Sequence, residues 1–138
     1  LSFLKRDDVP AGQPVISAKT AREMRQMLEM VTGTEGTARR AQVAGYRVAG
    51  KTGTAYKIEN GRYVRKYVGS FVGFAPASDP RVIIAVMVDE PTLGHYGGSV
   101  AAPVFSAVAA DTLRAMNVPP DAQVEELLST DKMARVNL

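Results

Sequence analysis

Apolar residues recur along this chain with two different periods, and the change of period divides it. From Ser17 onward Ala21, Met24, Met27, Leu28 and Val31 fall at the three- and four-residue spacing of one helix face. Thr20 followed by Glu23 has the form of a reciprocal cap, and Thr32-Gly33 supplies the stop. The polar, basic stretch from Gly33 to Ala44 reads as a surface loop. Tyr46 to Lys57 and Tyr63 to Phe74 are rich in Val, Thr, Tyr and Phe, with the hairpin dipeptide Asn60-Gly61 between them. Pro76 to Pro80 predicts a second turn. Arg81 to Asp89 is then a nearly unbroken apolar run, the pattern of a strand covered on both faces. After a glycine-rich loop from Gly94 to Ser99, the residues Val104, Phe105, Val108, Ala109, Leu113 and Met116 predict a second helix, with Pro103 tolerated in its first turn. The predicted fold is α+β, an antiparallel three-stranded meander with helices packed on it. Residues 1–120 form the folded part, with Leu1 to Pro14 as a connecting loop, and 121–138 form a polar tail.

Composition narrows the chemistry. The 138 residues contain no cysteine and one histidine, so disulfides, thiolate catalysis and a histidine-rich metal centre are excluded. No apolar run approaches the roughly 20 residues of a membrane helix. The first residue is Leu1 and no leader pattern precedes the polar positions, which suggests an interior piece of a longer product, with any anchor upstream. The net charge of +3 hides an asymmetry: Arg39 to Lys66 holds eight basic residues against Glu59 alone. Such a field attracts anions, although Arg39, Arg40 and Arg47 also serve simply to solvate a loop.

Three motif matches follow. Gly45 to Thr52 satisfies the phosphate-loop pattern G-x-x-x-x-G-K-[ST]. A phosphate loop needs a helix immediately after its lysine, so that backbone N–H groups converge on the anion. Here Lys51-Thr52 leads into the β-prone Gly53-Thr54-Ala55-Tyr56, and the nucleotide-binding reading is set aside. Ser2 to Lys5 formally gives S-x-x-K, a serine nucleophile with its lysine one turn on. The charged residues behind it and Pro10 do not make a buried helix start, so the match is read as chance. The third match, Lys51-Thr52-Gly53-Thr54, sits on a strand before a hairpin. Behind it come Gly69 to Pro76, the apolar strand ending in Asp89-Glu90-Pro91, the Tyr96-Gly97-Gly98 turn and a final helix.

That succession, from about Pro14 to Pro120, resembles the C-terminal part of the transpeptidase domain of division-type class B penicillin-binding proteins, a fold shared with serine β-lactamases. The resemblance implies a peptidoglycan D,D-transpeptidase that cross-links the cell wall in division, acts through a serine acyl-enzyme and is a target of β-lactams. It implies no cofactor and no metal. It also implies a location on the periplasmic face of the inner membrane, with division-machinery membrane proteins as partners and no nucleic acid.

Alternation along the strand places Lys51 and Gly53 on one face and Thr52 and Thr54 on the other. An edge strand so equipped can pair with an extended substrate, Gly53 leaving room for close backbone approach. The resemblance assigns Thr52 and Thr54 to the carboxylate of a stem peptide or β-lactam, Lys51 to the catalytic charge, and the Thr54 backbone N–H to one of two oxyanion donors. Tyr96 and Gly97 would form a flexible lip. The pattern is incomplete, because no S-x-N occurs and no convincing S-x-x-K precedes the strand. The nucleophile, its lysine and the second serine are therefore expected in an upstream portion of the same domain or in a separate chain, and this chain alone is expected to be inert. Same-fold alternatives are a D,D-carboxypeptidase, a β-lactamase or a β-lactam sensor. His95 is expected as a solvated loop residue, Asp89 and Glu90 as local pairs, and the methionines of the first helix as packing residues.

Overall fold

In a computed structural model, residues 12–122 are described. They form α1 (Ala18–Met30), a 3-10 turn (Arg39–Ala41), β1 (Ala49–Glu59), β2 (Arg62–Ala75), β3 (Val82–Asp89), the one-turn helix α2 (Gly97–Val100) and α3 (Ala102–Ala115). The strands make the expected meander in the order β1-β2-β3, antiparallel throughout. Asn60 and Gly61 carry the first hairpin with φ of 51° and 75°, the left-handed pair that a two-residue turn requires to match strand twist. Ser2 and Lys5, and the tail from 123 onward, lie outside the described residues.

Directly opposed residues share a face of an antiparallel pair, so the register defines the two sides of the sheet. Thr52 faces Phe71, which faces Val86, and Thr54 faces Gly69, which faces Val88. This side carries α3. Phe71 and Phe105 meet edge to face with centroids 4.9 Å apart and are fully buried, together with Leu113. An edge-to-face pair of this kind contributes about 0.5–1.5 kcal/mol beyond the area it buries. Gly73 lies between the two rings, where a Cβ would press on both.

On the other side the expectation for β3 fails. Its burial alternates, and Ile83 and Met87 are 75% and 74% exposed, with Val72 of β2 beside them also exposed. The apolar run therefore encodes two apolar faces, of which the described residues cover one.

The first helix differs from expectation in two ways. Its cap is Ser17, whose hydroxyl accepts the Thr20 N–H at 3.1 Å, rather than the Thr20 and Glu23 pair. Thr20 thus lies inside the helix, which starts a turn earlier than the pattern suggested. No α1 residue is buried, and Met24, Met27 and Met30 are exposed rather than packed. Of the predicted stripe, Ala21, Leu28 and Val31 are half-buried, Val31 against the core, whereas the methionines have no cover among the described residues.

The segment expected as a surface loop contributes to the core instead. Ala38 and Ala41 are fully buried and Val43 nearly so. Small side chains let the 3-10 turn lie flat against α3, where Ser106 donates its hydroxyl to the Gln42 carbonyl. Strand β1 begins at Ala49, later than Tyr46. The Tyr46 hydroxyl instead donates to the Val118 carbonyl at 2.6 Å. Asp121 accepts the Arg47 N–H and both the N–H and hydroxyl of Ser78. Arg47 pairs with Glu29 through two nitrogens at 2.6 and 2.8 Å. These contacts tie α1, the entrance to β1 and the segment that follows α3 together.

Candidate functional site

Strand β1 has a neighbour on one side only among the described residues. Alternate N–H and C=O groups on its free side are therefore available to another extended chain. Along it, Thr52, Thr54 and Tyr56 share the side that carries α2 and α3, whereas Lys51 and Gly53 share the opposite side. This is the alternation that the sequence predicts.

Two loops close on the threonines. The Thr52 hydroxyl lies 3.2 Å from the hydroxyl of Thr37, and the Gly97 N–H donates to the Thr54 hydroxyl at 3.4 Å. The second contact requires glycine. A Cβ on Gly97 would collide with the carbonyls of Ser70 and Gly53, and one on Gly98 with the carbonyl of Thr37. The expected glycine-rich loop is in fact a loop followed by the single turn α2, starting at Gly97. Three hydroxyls, Thr37, Thr52 and Thr54, thus stand beside one strand edge; with Thr37 donating to Thr52, the Thr52 and Thr54 protons are left to donate to an anionic oxygen.

Lys51 is exposed, and its ammonium donates to the Thr52 carbonyl at 3.0 Å. It makes no ion pair among the described residues. Gly53 backs onto Ser70, whose hydroxyl occupies the space a Cβ would take. The other lysines nearby are engaged. Lys57 reaches Asp89 at 3.0 Å and Glu90 at 2.7 Å, and Lys66 reaches Glu59 at 2.6 Å. Hydrogen bonds to Glu90 and then Asp89 raise the Lys57 pKa above its ordinary value, and the Glu59 carboxylate does the same for Lys66. The Lys57 bond holds Glu90 below the usual carboxylate value. Asp89 and Glu90 therefore pair locally as expected. They also fix the start of the loop to α2, since Glu90 adopts φ 46° and donates its N–H to the Tyr67 carbonyl.

Tyr96 is exposed at the end of that loop. Its ring is the last of a row: Tyr56 lies 4.8 Å from Tyr67, Tyr67 stacks on His95 at 4.2 Å and 20°, and His95 meets Tyr96 at 4.3 Å. His95 is thus not a solvated loop residue but a half-buried plate between two tyrosines. Hydrogen bonding to Tyr56, then burial, pushes the Tyr67 hydroxyl up.

The structure brings Thr52, Thr54, Gly97 and Tyr96 together, with Lys51 and Gly53 across the strand from them. Sequence reasoning missed Thr37, because a threonine in a polar loop carries no local mark of what it will face. Tyr56 could have been found, since it follows Thr52 and Thr54 at the same two-residue spacing. Lys51 and Thr52 lie inside β1, with no helix behind them, which removes the geometry of a phosphate loop.

Residues 2–110 match the family described as the penicillin binding protein transpeptidase domain. The chain is 50% identical over 122 residues to a Neisseria flavescens protein named probable peptidoglycan D,D-transpeptidase PenA, covering 87% of this chain and 30% of that protein. It is 43% identical over 124 residues to the peptidoglycan D,D-transpeptidase FtsI of Escherichia coli K12, covering 88% of this chain and 21% of that protein. Among solved structures it is similar to the apo transpeptidase domain of Burkholderia pseudomallei penicillin-binding protein 3. There the TM-score is 0.77 and the identity 54%, over 87% of this chain and 37% of that one. The chain spans about a fifth to a third of the length of the curated relatives it matches.

Proposed function

Because the chain belongs to the penicillin-binding protein transpeptidase family, we propose that it forms the C-terminal section of a serine D,D-transpeptidase that cross-links peptidoglycan in cell division. The observation that carries this reading is the free edge of β1, with the Thr52 and Thr54 hydroxyls beside it and the Lys51 ammonium across it. In the reaction, the terminal carboxylate of an acyl donor ending in D-Ala-D-Ala accepts hydrogen bonds from the two threonine hydroxyls. The donor lies along β1 as an added strand, which puts its scissile carbonyl on the Thr54 N–H. Attack by a serine from another portion of the domain makes a tetrahedral oxyanion there, and loss of an oxyanion donor of this type costs on the order of 10²–10³ in rate. Terminal D-alanine leaves, and the amine of a neighbouring stem peptide resolves the ester. A β-lactam enters the same path through its own carboxylate and strained amide.

Lys51 contributes a positive charge on the side opposite the threonines, facing the space where the remainder of the domain would stand. The exposed apolar residues Ile83, Met87 and Val72 on that side, and the methionines of α1, are the surfaces that this remainder would cover. The nucleophile and its lysine belong to it. No described helix is long and apolar enough to cross a membrane; an anchor outside the chain would hold the domain on the periplasmic face, beside membrane proteins of the division machinery.

The test is Thr54→Val in the intact enzyme. Acylation by benzylpenicillin is expected to slow about tenfold or more, the size of a lost hydrogen bond to a charged group, with the fold intact. An unchanged rate would remove Thr54 from the assigned role.

A further inference from the structure

The hairpin beyond the threonines carries a cavity of ≈ 380 Å³ lined by Tyr56, Tyr63, Val64 and Arg65. Its origin is a break in register. Tyr56 pairs with Tyr67 and Ile58 with Tyr63, so Lys57 alone on β1 stands against Val64, Arg65 and Lys66 on β2. The extra residues bow β2 outward, as bulges do where a strand must re-aim side chains. Tyr56 and Tyr63 then meet edge to face at 6.3 Å, and both stay exposed. The walls are mainly apolar, and no acidic residue lines them. Around the cavity Lys57 and Lys66 are neutralised by Asp89, Glu90 and Glu59. Arg65 and its neighbour Arg62 have no ion pair among the described residues, and of the two it is Arg65 that lines the hollow, placing an unspent positive charge at its apolar, aromatic wall.

We infer that this hollow is a subsite for the acyl donor, taking the part of the stem peptide that precedes the reacting D-Ala pair, and that Arg65 recognises a carboxylate carried there on an aliphatic residue. The inference rests on the reading of β1 as the substrate edge, and chain direction does the rest. With the donor's terminal carboxylate at Thr52 and Thr54 and its scissile carbonyl on the Thr54 N–H, the donor runs antiparallel to β1. Its earlier residues must then pass Ala55, Tyr56 and Ile58. At about 3.3 Å per residue, Tyr56 lies about 7 Å beyond Thr54, and Ile58, opposite Tyr63, about 13 Å beyond it. The residues two to four places before the leaving D-alanine therefore pass the cavity, and alternate side chains turn toward it. An aliphatic stem covers the tyrosine rings while its carboxylate pairs with the guanidinium, in the fork geometry that suits arginine.

The experiment compares two synthetic pentapeptide donors ending in D-Ala-D-Ala, identical except that the residue two places before the penultimate alanine carries a free carboxylate or the corresponding primary amide. The intact enzyme and its Arg65→Gln and Tyr63→Ala variants are assayed for release of D-alanine, with benzylpenicillin acylation measured in parallel. Native enzyme is expected to prefer the carboxylate donor by about tenfold in kcat/KM, the size of one charged hydrogen bond. Arg65→Gln should abolish that preference, Tyr63→Ala should weaken both donors, and neither should change penicillin acylation more than twofold. A preference that survives Arg65→Gln, or no preference in the native enzyme, overturns the subsite. Failure of the underlying reading shows elsewhere, as penicillin acylation indifferent to Thr54→Val.

Discussion

Thr37 and Thr52 are fifteen residues apart in the chain, yet their hydroxyl oxygens lie 3.2 Å apart. One hydroxyl must donate to the other, so the pair restricts the orientation of the Thr52 O–H beside the strand edge. The Thr37 loop is held from both sides, by the Ala38 N–H on the Val31 carbonyl and by Gly98 packed against the Thr37 carbonyl. The threonine therefore acts from a fixed support rather than from a wandering loop.

Thr37→Val keeps the shape and removes the hydroxyl. In the intact enzyme of the proposed function, acylation by a carboxylate-bearing β-lactam is expected to slow by about 2–10-fold, the size of a neutral hydrogen bond, while Thr37→Ser restores it. Stopped-flow acylation kinetics on the three proteins would decide it, and equal rates for valine and threonine would leave the contact without a catalytic consequence.

Gly97→Ala tests the closeness of α2 to the sheet. The added methyl meets the backbone carbonyls of Ser70 and Gly53, neither of which can swing aside without disturbing β1 or β2. Overpacking of this kind costs about 1–3 kcal/mol. Thermal unfolding should show a lowered Tm, and the stacking of His95 on Tyr67 should be perturbed in the aromatic NMR resonances. A neutral Tm would mean that α2 is free to move away.

The latch of Lys57 on Asp89 and Glu90 gives a pH dependence with a definite sign. Glu90 is held below the usual carboxylate value of 4.5, so the stability it contributes is complete above that value and is lost as pH falls through the lower folded value. Lys57 is raised above 10.5, so its contribution is complete below that value and is lost as pH rises through the folded one. Between the two the latch is intact. Titration of the Glu90 side-chain carbonyl resonance should give a midpoint below 4.5 that moves upward in Lys57→Met. A midpoint unmoved by that substitution would refute the assigned cause.

Much of the architecture is local and was therefore legible. The period of two in β1 and the left-handed pair Asn60-Gly61 depend on neighbours in sequence, so the meander, the hairpin and the alternation of Lys51 with Thr52 could be read from the residues. The same holds for Phe105, Ala109 and Leu113 on the buried side of α3. What local pattern cannot carry is the identity of the covering surface. An apolar stripe reads alike whether it is covered, like Phe105, or bare, like Met24 and Met27 on α1 and Ile83 and Met87 on β3.

The sequence by itself therefore determined which residues share a face of each element, because backbone geometry and side-chain spacing repeat over a few positions. Only the tertiary structure decided what each face meets: Thr37 beside Thr52, His95 between Tyr67 and Tyr96, Ala38 and Ala41 in the core. Those contacts join loops to strands across long separations, and they are selected by the packing of the whole rather than by propensity. The threonine edge was thus visible in the chain, whereas the hydroxyl that orients it was visible only in the fold.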